Sequence, residues 1–530
     1  MKTIEKVQQM NSNKIVTYEG GVGYQTTFRE TIAEFFSLGL LEGNFYQSSA
    51  DVLKNAKDIF ERALKEEPEF ATKSAIYGNN VNSLKLVPSV WLLYLSTLED
   101  KTLFKKAFPR IIQNPKMLHD FLEMARKGGV RDGVGRGVKK VINKWLVAKL
   151  NEYQVSRNKG KLSEVIKVTR PDSKKESEEF QAFMQYLAKD ALTFPRAVGL
   201  KSVIEKLEQG IVDDETLSLV EQHRLQLEEL KHSTKNLSDE GKQALYAQMY
   251  KGLNYSALIL NLVALERVFA TETTTVNKLR RVNGQYNYYK QQLVVETDIP
   301  DAVIEMVVEK INDVKAYRKS NMLPFALITA ERMVVTPAFK SALGNVLKQV
   351  ASEAFSIDKS INLKVAVDTS SSMNSQVTDS LSCVELATLF GAMVKKAHAK
   401  SEVYAVASQI KKVPIRKQDE LFDMAHQIEE TKVGAGTLFE QIMREYKGEK
   451  YIILFTDSES ADDLERVWLK AKKPKDAKLI VWQLQAYQTR ISKDPSVVYL
   501  AGYSDRLMGL VKNIIEGKAG QIEEIENVEL

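Results

Sequence analysis

Thiols are almost missing from this 530-residue chain: Cys383 is its one cysteine, which excludes an intramolecular disulfide framework and thiolate zinc sites. Histidine is scarce as well, and the five present, at 119, 223, 232, 398 and 426, show no His-Glu-x-x-His spacing. Any metal must therefore be bound mainly by oxygen. No apolar run reaches the roughly 18 residues of a membrane-spanning helix, and the opening "MKTIEKVQQMNSNK" lacks the apolar core of a secretory signal. A cytoplasmic location follows as an expectation. There is no Walker A loop and no Gly-x-Ser-x-Gly elbow, so nucleotide-cradling and serine-hydrolase chemistry have no support. Nor does one sign of charge dominate: a net charge of +6 is small for this length, so the distribution of charge says more than its total.

A chain this long exceeds one compact core and predicts two or more units. From about residue 25 to 350 the pattern is helical almost throughout. Amphipathic stretches such as "FRETIAEFFSLGLLEG", "SADVLKNAKDIFERALKEE" and "DFLEMARKG" are separated by short Gly, Pro, Asn or Ser signals. Such a succession predicts stacked helical hairpins of HEAT type over residues 1–354, although no clean repeat period is visible. After about residue 355 short apolar runs ("LKVAV", "VYAVAS", "YIILF", "LIVWQL", "VVYLAG") alternate with helical segments. That grammar predicts a doubly wound α/β domain over residues 355–530 with a parallel sheet. No Gly/Ser-rich or Pro-rich linker marks the join, so the two parts are expected to pack directly together.

Asp368 follows "LKVAV" and Asp457 follows "YIILFT", which puts both on the rim outside the carboxyl ends of the strands, where open α/β sheets bind ligands. The spacing Asp-x-Ser-x-Ser adds Ser370 and Ser372, and the Gly-rich "KVGAGTLFE" adds Thr437. Hydroxyls and carboxylates without imidazole or thiolate suit a hard divalent cation such as Mg²⁺, which would leave an open position for a partner's carboxylate or phosphate. The simpler alternative is capping, with Asp368 or Ser370 capping the helix that follows and Asp457 capping "SADDLERVW". A phosphatase of the haloacid dehalogenase type needs a second acid two residues after the first, where Ser370 stands. No catalytic residue is therefore assigned, and a binding protein rather than an enzyme is expected.

Charge is most biased between Arg126 and Lys175, with fifteen Lys or Arg against four Asp or Glu. On a helix starting near Arg136, the side chains of Arg136, Lys139, Lys140 and Lys144 form a basic face, leaving Val138, Val141, Ile142 and Trp145 for the other. "GGVRDGVGRG" adds Arg131, and "VSRNKGKLS" adds Arg157, Lys159 and Lys161 around a predicted turn. A basic face can be merely solvated, but this clustering is the footprint expected for a phosphate backbone. RNA suits it better than duplex DNA, because no major-groove motif appears. The tyrosines of "NGQYNYYK" (Tyr286, Tyr288, Tyr289) read as packing residues and are left out of the interface.

Asp368, Ser370, Ser372, Thr437 and Asp457 resemble the metal-ion-dependent adhesion site of von Willebrand factor A domains. A helical part joined to such a domain, with this basic segment, resembles the Ro autoantigen family, whose helical part is the TROVE module. "IAEFFSLGLLEGNFYQS" is similar to the family's N-terminal stretch and "GVGRGVKKVINKWL" to its Gly-Arg-Gly segment; "VDTSSSMNS", "GAGTLFE", "LFTDSES" and "LAGYSDRL" follow in the family's order. The resemblance spans about residues 20 to 525. It implies a ring of HEAT-like repeats closed by the A domain and acting as a monomer. Such a ring binds small noncoding Y RNAs outside and single-stranded ends of misfolded RNA in its hole, with an exoribonuclease as partner in RNA processing or decay. A metal-dependent protein-interaction scaffold is the alternative. Two positions depart from the family: Arg170 in "VTRPDSK" stands where a His is common, and Leu260 where an Arg precedes Asn-Leu.

Overall fold

The central strands of the C-terminal sheet, Leu363–Asp368 and Tyr451–Thr456, are buried along their whole length, as apolar runs without alternation require of a sheet covered on both faces. The computed structural model describes residues 14–530 except 40, 42, 43, 45, 283, 284, 379, 380 and 417. Six strands lie in the spatial order Val497–Ala501, Lys478–Gln483, Tyr451–Thr456, Leu363–Asp368, Glu402–Val406 and Ile410–Lys412. The first five are parallel and the last is an antiparallel edge. From Leu363–Asp368 the chain moves outward to Glu402–Val406, then returns past its start to Tyr451–Thr456. The order therefore reverses between Leu363–Asp368 and Tyr451–Thr456, which makes their carboxyl ends the switch point of the fold. Above one face lies the helix Cys383–Ala397, opened by the Ser382 N–H donating to Glu385 Oε2 at 2.7 Å. Its Phe390 stacks on Trp482 of the sheet with ring centroids 4.6 Å apart.

Compactness groups the described residues of Met1–Ile111 with Leu347–Leu530 in a first unit, and Ile112–Met322 with Ala326–Val346 in a second. Within the first unit the N-terminal segment is joined to the C-terminal part by backbone pairing: Lys14–Val16, Val22–Gln25 and Thr489–Arg490 form a three-stranded sheet of their own. Beside it the helix Phe28–Leu38 starts at a Thr27/Glu30 capping box and stops at Gly39 in the left-handed region. Gln521 fastens this helix from the C-terminal side by donating to Ser37 Oγ at 3.1 Å and accepting from the Ala501 N–H at 2.8 Å.

The second unit is mainly helical, and within it Lys159–Thr169 packs against Pro115–Lys127, Arg136–Lys149 and Glu178–Lys189. Trp145 anchors one of them by donating to the Ile112 carbonyl at 2.7 Å. Arg196 pairs with Glu229 at 2.7 Å, both almost fully buried, and bonds to the His223 carbonyl at 3.0 Å. The expectation of helices almost throughout residues 25 to 350 needs one correction. Ala270–Val282 and Gln285–Thr297 are long antiparallel strands, and "TETTTV" carries the β-branched residues that favour them. Tyr286, Tyr288 and Tyr289 thus belong to a strand rather than a packed helix.

Glu34, in the helix Phe28–Leu38, is fully buried and accepts from Arg490 at 3.3 Å and from the Gln488 N–H at 3.2 Å. Burial outweighs the attraction of Arg490, with Glu30 adding repulsion, and pushes the carboxyl up from 4.5 to about 7. The folded state consequently holds a proton that the unfolded chain releases between those values. The contribution of this group to stability is full below about 4.5 and is lost as the pH rises through about 7. Thermal melts in EDTA should show stability falling from pH 5 to pH 7.5, with a shallower dependence in Glu34→Gln; identical profiles would contradict the assignment.

Candidate functional site

Three loops converge at the switch point and are tied to one another by backbone bonds. The Ser371 N–H donates to the Ala435 carbonyl at 2.9 Å, and the Ala461 N–H to the Thr437 carbonyl at 2.9 Å. Gly434, two residues before Gly436 in the middle loop, has φ +107°, and a Cβ there would overlap the Ser408 hydroxyl. Only glycine allows the loop to close so tightly on its neighbour.

All five residues expected at the metal site meet here, and all are buried. Asp368 accepts from Thr456 Oγ1 at 2.7 Å through one oxygen and from the Ser370 N–H at 3.0 Å through the other. The hydroxyls of Ser370 and Ser372 lie 3.2 Å apart. Asp457 Oδ1 accepts from the Glu459 N–H at 3.1 Å, whereas its Oδ2, fully buried, is without a hydrogen-bond donor among the described residues. The simple capping alternative does not describe this geometry. The helix Leu464–Lys470 is capped by Asp463, which accepts from the Arg466 N–H, while the Ser370 side chain makes no capping bond to the short helical turn it precedes.

The charges around the site are acidic. Burial pushes Asp368 up to about 6, with Glu19 adding repulsion, and holds Asp457 well above the usual carboxylate range, with Asp368 and Glu459 adding to the effect. Two buried carboxylates facing hydroxyls, one oxygen lacking a donor, form a set that fits a hard divalent cation. Two residues invisible to sequence reasoning also reach the site. Glu19 Oε2 accepts from the Thr437 N–H at 2.8 Å, Glu19 Oε1 from the Thr437 hydroxyl at 3.2 Å, and Tyr46 donates to Glu19 Oε1 at 2.8 Å. Nothing local in "TYEGG" announces a contact made more than 400 residues away.

The expected RNA-facing residues fall into two groups. In the helix Arg136–Lys149, the residues Val138, Ile142, Trp145 and Leu146 are buried, while Arg136, Lys140 and Lys144 are exposed and Lys139 is half-buried beside them. Arg136, Lys140 and Lys144 recur every fourth residue, so they form one row. Arg170 is exposed at the left-handed end of Lys159–Thr169. The other residues are more engaged. Arg131 bonds to the Gly133 carbonyl at 2.7 Å; Arg157 bonds to Gln226 at 2.9 Å and pairs with Glu228 at 3.5 Å; Lys159 pairs with Asp190 over the Tyr186 ring. The predicted turn around residues 157–161 is a break between Glu152–Arg157 and Lys159–Thr169, with Lys161 in the first turn of the second helix. Leu260 is 72% exposed and lines a cleft with Arg157, Lys310 and Lys319.

A doubly wound sheet with this constellation at its switch point is a von Willebrand factor A domain. Residues 362–515 match the family model of the Ro60 vWA domain. Over 93% of its length, and all of the other chain's, the protein shares the fold of the Deinococcus radiodurans Ro (RSR) protein, with TM-score 0.58 and 15% identity. It is thus Ro-like in fold, with an A domain of the Ro60 kind. No curated protein matches the sequence. No helix among the described residues is long and apolar enough to cross a membrane.

Proposed function

We propose that this chain is a noncatalytic RNA-binding protein of the Ro kind, working as a cytoplasmic monomer. Its ligands are small noncoding, Y-like RNAs and single-stranded ends of misfolded RNA, and an exoribonuclease is the partner that processes what it holds. The observation carrying this reading is the row Arg136, Lys140 and Lys144, three cations on the solvent face of a helix whose other face is buried. Successive members are about 6 Å apart along the axis, so each can meet a separate phosphate. Arg157 and Lys159 contribute less, because their charges already have acidic partners.

Reversing all three, as Arg136→Glu, Lys140→Glu and Lys144→Glu together, should weaken RNA binding strongly. It should also reduce the slope of log affinity against log salt by about 2, at about 0.7 per lost contact to a single strand. Filter binding across a salt series reads both quantities, with circular dichroism to check the fold. An unchanged affinity and slope would contradict the reading.

In the same reading the A domain holds Mg²⁺ with Asp368, Ser370, Ser372, Thr437 and Asp457. The ion would supply a Lewis-acidic position for a partner's carboxylate or phosphate. A second reading, a metal-dependent protein-interaction scaffold, is favoured by the donorless buried oxygen of Asp457 and needs no RNA at all. Both readings require metal binding. Mn²⁺ affinity, followed by calorimetry, should rise between pH 5 and pH 8, since Asp368 sheds its proton near 6 and burial holds the Asp457 carboxyl well above the usual carboxylate range. Asp457→Asn should abolish binding; an affinity independent of pH, or undiminished in the variant, would contradict the site.

A further inference from the structure

Three side chains of the second unit bring possible metal ligands together. His119 and Glu123 lie four residues apart, hence on one face of the helix Pro115–Lys127, and Glu164 comes from Lys159–Thr169, which packs against it. One ligand atom from each, an imidazole nitrogen and two carboxylate oxygens, lies within 4.8 Å of the other two. Both helices are fixed independently of this meeting. Asn114 caps the first by accepting from the Met117 N–H at 3.0 Å, and Leu118, Phe121, Leu122 and Ala125 are buried along it. Leu162 and Val165 are buried on either side of Glu164 in the second.

A plain His–Glu hydrogen bond, with Glu123 pairing Arg126 at 3.2 Å, would leave one nitrogen unaccounted for. The His119 side chain is only 17% exposed; its Nε2 faces Glu164 Oε2 at 3.0 Å, while Nδ1 is buried and has no hydrogen-bond partner among the described residues. The Asp120 carboxylate stands 3.7 Å from Nδ1, beyond hydrogen-bond distance but within reach of a small rotation. A histidine that binds metal through one nitrogen directs its other N–H at a carboxylate in the same way. The 3.0 Å between Nε2 and Glu164 also suits a shared ion, because two ligands at a right angle, each about 2.1 Å from a metal, are about 3 Å apart. Glu123 is then the third ligand, and the 4.8 Å limit exceeds the roughly 4.2 Å across such an ion by an amount that side-chain rotation closes.

We infer that His119, Glu123 and Glu164 form a metal site of their own, for a borderline divalent cation such as Zn²⁺, with Asp120 orienting the imidazole. The nitrogen ligand separates its preference from that of the all-oxygen rim of the sheet, which suits a hard cation. Three protein ligands leave room for water. The ion staples Pro115–Lys127 to Lys159–Thr169, the helix that also packs against Arg136–Lys149 with its basic row.

The test is Zn²⁺ calorimetry on the full-length chain in excess Mg²⁺, which occupies any all-oxygen site, for the unaltered protein, His119→Ala, Glu164→Gln and Asp120→Asn. Circular dichroism checks the fold, and the Glu164 side chain, 56% exposed, can change without disturbing the packing. Affinity should fall by more than about tenfold in His119→Ala and Glu164→Gln, and by about tenfold in Asp120→Asn, which keeps all three ligands but loses the carboxylate behind the imidazole. Zn²⁺ should also raise the melting temperature of the unaltered protein, and His119→Ala should lose that rise. No Zn²⁺ binding, or an affinity undiminished in His119→Ala or Glu164→Gln, would overturn the inference and leave a surface His–Glu pair.

Discussion

Two buried carboxylates at the point where the sheet reverses its strand order are the constraint around which the first unit is arranged. Burial pushes Asp368 up to about 6 and holds Asp457 well above the usual carboxylate range, so neither is at ease as an anion without a compensating charge. The fold brings them together because the parallel strands are adjacent: Phe455 pairs with Val367, so Thr456 falls level with Asp368 and Asp457 follows one residue beyond. Everything else at the rim serves that meeting. Thr456 and the Ser370 amide hold Asp368, while the Gly434 conformation lets the Thr437 loop close over it.

The N-terminal segment belongs to the same arrangement. It contributes strands to a sheet completed by Thr489–Arg490, a helix carrying the Glu34 carboxyl that Arg490 meets, and a turn carrying Glu19. A sheet, a buried ion pair and the bonds of Glu19 to Thr437 therefore all join the start of the chain to its A domain. In the second unit the basic row on Arg136–Lys149 is built differently, on a helix fixed by its own buried face and by Trp145. Its charges are exposed and have no acid partners among the described residues, the opposite of the sheet rim, where acids are buried together.

Residues at strand ends were legible because strand and rim residue are neighbours in sequence. Asp368, Ser370, Ser372, Thr437 and Asp457 each lie on a loop beside or between apolar runs, and the rule that ligands bind at the carboxyl edge placed them together. Glu19 and Tyr46 were not legible, since their place depends on a turn docking across the whole length of the chain. The hairpin Ala270–Val282 with Gln285–Thr297 was missed for a different reason. Its polar, β-branched sequence has no apolar alternation, and helical neighbours on both sides dominated the pattern. On the basic segment, charge composition located the cluster but could not tell the exposed row from Arg157 and Lys159, whose acidic partners Glu228 and Asp190 lie outside that segment.

The most direct test of the central claim is an anomalous difference map from crystals of the full-length chain grown with Mn²⁺. The account predicts one strong peak at the rim of the sheet, bounded by Asp368, Ser370, Ser372, Thr437 and Asp457. A map with no peak there, and the two aspartates still facing each other, would contradict it.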